Sequence, residues 1–123
     1  MNLVTLPGQL DHERLHAYQV ALELDAVVVE VARQSGRGNT WLRDQATRAS
    51  GGVVLQIAEA VGREGADRAQ RIRIARGSLL ETDATLALFD HRGLCSPEAR
   101  AAAYGLTVRL APMLQAFLRS ALR

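Results

Sequence analysis

The hydrophobic positions recur three and four residues apart through most of the chain, which is the spacing of one face of an α-helix. Four such segments are separated by glycine-rich or capped breaks. The first runs from about Asp11 to Gln34, with Leu15, Tyr18, Leu22, Val29 and Ala32 on one face and Val28 beside them. Asp11 and Glu13 suit its positive N-terminal end. Ser35-Gly36-Arg37-Gly38-Asn39 breaks it, with Gly36 as the expected stop. The second helix is expected over 40–61, capped by Asn39 or Thr40, with a stripe of Leu42, Ala46, Ala49, Val53, Ile57 and Ala60. Gly51-Gly52 lies inside it, where each glycine costs about 1 kcal/mol of helix propensity. The pair therefore marks either close helix contact or a kink.

The third helix is expected over 66–90, with a seam of Ile72, Ala75, Leu79, Thr82, Leu86 and Phe89. Leu80 and Leu88 fall on other faces, so more than one side of this helix is expected to be covered. His91-Arg92-Gly93 ends it. Ser96-Pro97-Glu98 then reads as a helix start: a capping serine, a proline in the first turn and an acid at the positive end. The fourth helix is expected over 97–122, with Ala103, Leu106, Leu110, Met113 and Phe117 as its seam and a kink at Pro112. Four helices joined by short loops predict an all-α, up-and-down antiparallel four-helix bundle forming one domain over residues 1–123. A bundle this small buries a limited core, and its extra apolar and small-residue faces suggest self-association.

Composition sharpens this picture mainly by exclusion. Aromatic residues are only 4% of the chain, and strand-type alternation is hard to find, which argues against a β-sandwich. The single cysteine, Cys95, excludes an internal disulfide framework. No apolar run approaches the ~18 residues that a membrane span needs. Met1 to Gln9 lacks a basic region followed by an apolar segment, so no signal peptide is expected and the expected address is the cytoplasm. Fifteen basic residues against 13 acids give a net charge of +2, too small to establish nucleic-acid binding. Every basic residue is an arginine. Codon usage in a GC-rich genome suffices to explain that. The alternatives are buried ion pairs or phosphate contacts, which the planar guanidinium fork suits better than lysine.

Several motifs bear on chemistry. His12-Glu13-Arg14-Leu15-His16 matches H-E-x-x-H, the pattern that places two imidazoles one helical turn apart for zinc. The only other histidine is His91, and the scaffold of a metalloprotease is missing, so a zinc hydrolase is an outside reading. A ferritin-like di-iron centre would need two E-x-x-H motifs on different helices, a pair the chain does not carry. Cys95 stands beside a helix start, a placement that can lower a thiol pKa, but no histidine lies near it in sequence. No catalytic residue, cofactor or metal is expected. Gln45, Arg48, Gln56 and Glu59 of the second helix, with Arg76, Ser78, Glu81 and Asp83 of the third, read as interhelical polar contacts that fix register; a polar site is the alternative. Gln45, Arg48, Glu59, Arg76 and Glu81 are the expected members of that network. Arg63, Arg68, Arg71 and Arg73, followed by Arg76, make the densest basic stretch. It is either a solvated salt-bridged surface or a phosphate-contacting one.

Three blocks then carry a family resemblance. They are His16-Ala17-Tyr18-Gln19-Val20-Ala21-Leu22-Glu23-Leu24; Leu42, Gln45, Arg48-Ala49 and Ile57-Ala58-Glu59; and, without a gap, Ile74-Ala75-Arg76-Gly77-Ser78-Leu79-Leu80-Glu81. The chain resembles the 23S ribosomal RNA intervening-sequence proteins over roughly residues 12 to 121. It departs from their pattern at Gly52, Val53, Gln56 and Ala60, where the family carries Ser, Ile, Asn and Gly. The resemblance implies an up-and-down bundle that assembles as a homopentamer and has no known enzymatic activity. A related bundle, the accessory protein of diversity-generating retroelements, binds nucleic acid and a reverse transcriptase. By that analogy the expected partners are a second copy of the chain, RNA or DNA backbone held by Arg63, Arg68, Arg71 and Arg73, and a protein such as a reverse transcriptase. The alternative is a scaffold subunit without nucleic-acid binding.

Overall fold

The computed structural model describes residues 10–123, and the reading of Met1 to Gln9 as carrying no leader lies outside them. The described chain is a four-helix, all-α bundle: α1 (His16–Gln34), α2 (Thr40–Val61), α3 (Gly65–His91) and α4 (Pro97–Ala121). Each helix packs on its neighbour in sequence, and α4 returns against α1 to close the bundle. No helix among the described residues is long and apolar enough to cross a membrane.

The first helix begins one turn later than its hydrophobic pattern predicts. Asp11–Arg14 is a 3-10 turn, and Leu15 is extended at φ −78°, ψ 122°, which ends that turn before α1 starts. The Glu13 carboxylate accepts the Leu10 N–H, and the Gln19 side-chain amide donates to the Glu13 carbonyl, fastening the turn to the helix start.

At the other breaks, local chemistry decides the geometry. Gly36 has φ +88°, a left-handed conformation that side chains disfavour, and it follows the last turn of α1. Asn39 and Thr40 do not cap α2 with their side chains as expected. Asn39 instead turns its amide back to donate to the Ser35 carbonyl at the end of α1. At the end of α3 the Leu94 N–H bonds to the Phe89 carbonyl and the Gly93 N–H to that of Asp90. Gly93 takes φ +69°, a Schellman ending that satisfies two free carbonyls. The Ser96 hydroxyl caps α4 by accepting the Ala99 N–H at 3.1 Å, with Pro97 in the first turn. Pro112 lies inside α4, which continues through it to Ala121.

The predicted stripes of α2 and α3 are buried in full. Those of α1 and α4 are displaced toward one flank. The centre of α1 is Ala17, Val20, Ala21, Leu24, Val28 and Val31; of the predicted stripe Ala32 is buried, Leu15, Tyr18 and Leu22 are half-buried and Val29 is 44% exposed. Almost every residue from Ala26 to Ala32 is apolar, so periodicity alone selects no unique face there. The centre of α4 is Ala103, Thr107, Leu110, Leu114 and Leu118, with Leu106, Met113 and Phe117 half-buried beside it. Thr107 fits this seam because its hydroxyl donates to the Ala103 carbonyl, and Thr82 and Thr85 bond back to Ser78 and Glu81 in the same way.

The two central glycines of α2 differ. A Cβ on Gly52 would lie 3.3 Å from the Ser78 Oγ on α3, so this glycine admits a close helix approach. A Cβ on Gly51 would meet nothing within 4 Å.

Candidate nucleic-acid interface

The arginines of the basic stretch fall into two groups. At the α2–α3 turn, Arg63 bonds Glu59 at 3.2 Å and Asp67 at 2.8 Å, and the two acids hold its pKa above the ordinary value. Arg68 folds back across the same turn. Its Nε donates to the Ala60 carbonyl and one Nη to that of Val61, both at 2.9 Å, while its guanidinium lies 5.8 Å from the Phe117 ring centre. It thereby caps the end of α2, sharing the Ala60 carbonyl with the Arg63 N–H. Arg63 and Arg68 are thus engaged by the fold.

Arg71 and Arg73 are not. Arg71 is half-buried, and its Nε is a buried atom without a partner. Arg73 is exposed and forms no ion pair among the described residues. The same holds for Arg76 on α3, Arg48 on α2, and Arg109 and Arg119 on α4.

The expected polar network is only partly assembled. Gln45 of α2 hydrogen-bonds Glu81 of α3, joining two of its members across the helices. Glu59 pairs within its own turn with Arg63, and Arg48 and Arg76 point to no acid. Asp83, which shares a face with Arg76 by spacing, bonds Arg100 of α4 at 3.0 Å instead. A contact that spacing did not indicate joins α1 to α2: the buried Ser50 hydroxyl donates to Asp25 at 2.6 Å. Only the tertiary fold reveals such a pair, because its members are 25 residues apart. The Gln56 Oε1, on α2, is a second buried atom without a partner.

The residues of possible chemical reactivity are dispersed. The break at Leu15 puts His12 in the 3-10 turn and His16 at the start of α1, so H-E-x-x-H does not lie on one continuous helix. His12 packs edge-on against Tyr18, with ring centres 4.9 Å apart, and Glu13 serves the turn as described. Among the described residues no group of three or more His, Cys, Asp or Glu side chains is placed to hold a metal ion. Cys95 lacks the lowered pKa that a neighbouring helix start can give. Burial pushes its thiol up, the nearby Asp90 charge adds to this, and Arg100 opposes it. The nearby helix start therefore does not produce a reactive thiolate.

A shallow depression of about 250 Å³ at one end of the bundle is lined by Asp11, Arg14, Leu15, Val61, Arg68 and Phe117. Another, of about 180 Å³, lies between α3 and α4 against Arg76, Leu79, Leu80, Ala111 and Gln115.

These features define a class: an all-helical bundle whose polar side chains tie helices together and whose outer arginines are left partly unpaired. The family model for the 23S rRNA-intervening sequence proteins matches residues 13–116, most of the chain, and the chain belongs to that family. A search of curated proteins returned no match.

Proposed function

We propose that this protein is a non-enzymatic, self-associating bundle that binds RNA or DNA backbone through arginine side chains. The observation that carries the reading is the division among the arginines. Arg63 and Arg68 are consumed by the fold, whereas Arg71, Arg73 and Arg76 follow one another along α3 with no described acid to neutralise them. An unpaired guanidinium presents a planar fork of donors suited to phosphate oxygens. The contact set therefore shifts along α3, toward Arg71, Arg73 and Arg76, with Arg48 on the neighbouring helix.

Self-association rests on the outer apolar residues. Leu55, Leu80, Tyr104 and Val108 are each more than half exposed, and burying them between copies would remove that apolar surface from water. Five copies is the number that the family resemblance implies. In a ring, each unpaired arginine would be repeated around the axis, and the field at the surface would grow with copy number.

Charge reversal tests the reading. Arg73→Glu with Arg76→Glu alters two exposed side chains without ion pairs, so helicity and melting are expected to stay unchanged. Affinity for a mixed RNA and DNA pool should fall at least tenfold, and the log–log salt slope should shrink by about one unit for each lost phosphate contact. Unchanged affinity in the double variant would move the reading to a scaffold without a nucleic-acid role.

A further inference from the structure

Trp41 is the chain's only tryptophan, and the fold leaves it 63% exposed near the start of α2. Its indole is not used by the core. The guanidinium of Arg92, just past the end of α3, lies 6.0 Å from the ring centre. Arg48 stands seven residues further along α2, hence on the same face and about 10 Å away at 1.5 Å per residue. It is exposed and unpaired among the described residues, as is Arg37 in the 3-10 turn (Arg37–Asn39) that leads into α2. Between Trp41 and Arg48 the acid of the opposite helix, Glu81, is occupied by Gln45. The other nearby acids in sequence are Asp44 and Asp90, both exposed.

We propose that Trp41, with Arg37, Arg48 and Arg92, is a stacking platform for single-stranded nucleic acid. An unpaired base lies against the indole, and the flanking guanidiniums take the phosphates on either side of it. The inference rests on the nucleic-acid reading above and specifies its ligand. Bases within a duplex are stacked on one another and cannot lie on a protein ring, so a platform of this kind selects loops, ends and single strands. Its role differs from that of Arg71, Arg73 and Arg76, which hold backbone without regard to strandedness.

The test uses the full chain and two fluorescently labelled RNAs of equal length, a 12-nucleotide oligouridine and a blunt duplex. Anisotropy of the label reports binding, and the emission of the single tryptophan reports the platform. Saturable quenching by oligouridine, with little quenching by the duplex, is expected. Trp41→Ala should weaken oligouridine binding about 5- to 100-fold and leave duplex binding in place, and Trp41→Phe should restore most of the loss. Arg48→Gln, which leaves the indole intact, should weaken oligouridine binding while quenching at saturation persists.

Oligouridine binding that is equal in wild type and Trp41→Ala overturns this inference and leaves the nucleic-acid reading standing. If neither RNA binds the wild-type chain, the nucleic-acid reading fails and the inference fails with it. A tryptophan emission that follows protein dilution and ignores RNA would place Trp41 between copies of the chain and also overturn the proposal.

Discussion

Two adjacent glycines in α2 show how far a single position can be argued. Gly51→Ala adds a methyl group that meets nothing within 4 Å, so the gain in helix propensity should appear as stability, up to about 1 kcal/mol. Gly52→Ala places the same methyl 3.3 Å from the Ser78 Oγ, and the serine must shift. A urea series should therefore show a higher midpoint for Gly51→Ala and little or no gain for Gly52→Ala. Equal gains would mean that the α2–α3 approach is looser than described. Cys95 gives a second residue-scale prediction. Its pKa is raised by burial first and by the Asp90 charge second, so the thiol stays protonated at neutral pH and should alkylate slowly. The alkylation rate should climb with pH to a midpoint above that of a free model thiol. Removing the charge with Asp90→Asn should lower that midpoint.

Among the elements, α2 and α3 were the most legible. Their stripes keep an unbroken three-four spacing, and all twelve predicted positions are buried even though Leu55, Ile74, Leu80 and Leu88 stand exposed on other faces. In α1 the valine and alanine run presents apolar surface almost all round, and large residues such as Leu15 and Tyr18 lie on its flank. The packed centre instead uses Ala17 and Ala21. In α4 a buried threonine, Thr107, concealed the true seam, because its back-bonded hydroxyl satisfies itself within the helix. The candidate site was legible as composition and not as contacts. The arginine stretch is plain along the chain, but nothing in its spacing distinguishes Arg68, which bends back onto two carbonyls, from Arg73, which stays free. That difference is measurable. Arg68→Ala should destabilise the bundle by about 1–3 kcal/mol, through the lost charged hydrogen bonds to the end of α2 and the lost contact with Phe117. Arg73→Ala should leave the unfolding midpoint within about 0.5 kcal/mol of wild type.

At the scale of the whole molecule, the proposed function needs two surfaces: exposed apolar side chains to associate copies, and unpaired arginines to hold phosphate. The net charge of +2 on one chain is modest, so the proposed oligomer would draw its surface field from repetition of the unpaired arginines more than from total charge. Light scattering coupled to size exclusion tests this most directly, run at low and high salt with and without a short mixed RNA and DNA pool. The expected result is an oligomer, of five copies on the family's pattern, that carries nucleic acid at low salt and releases it at high salt. An oligomer that ignores the pool at both salts would contradict the nucleic-acid role, and a monomer under all conditions would contradict the self-association on which the multiplied surface depends.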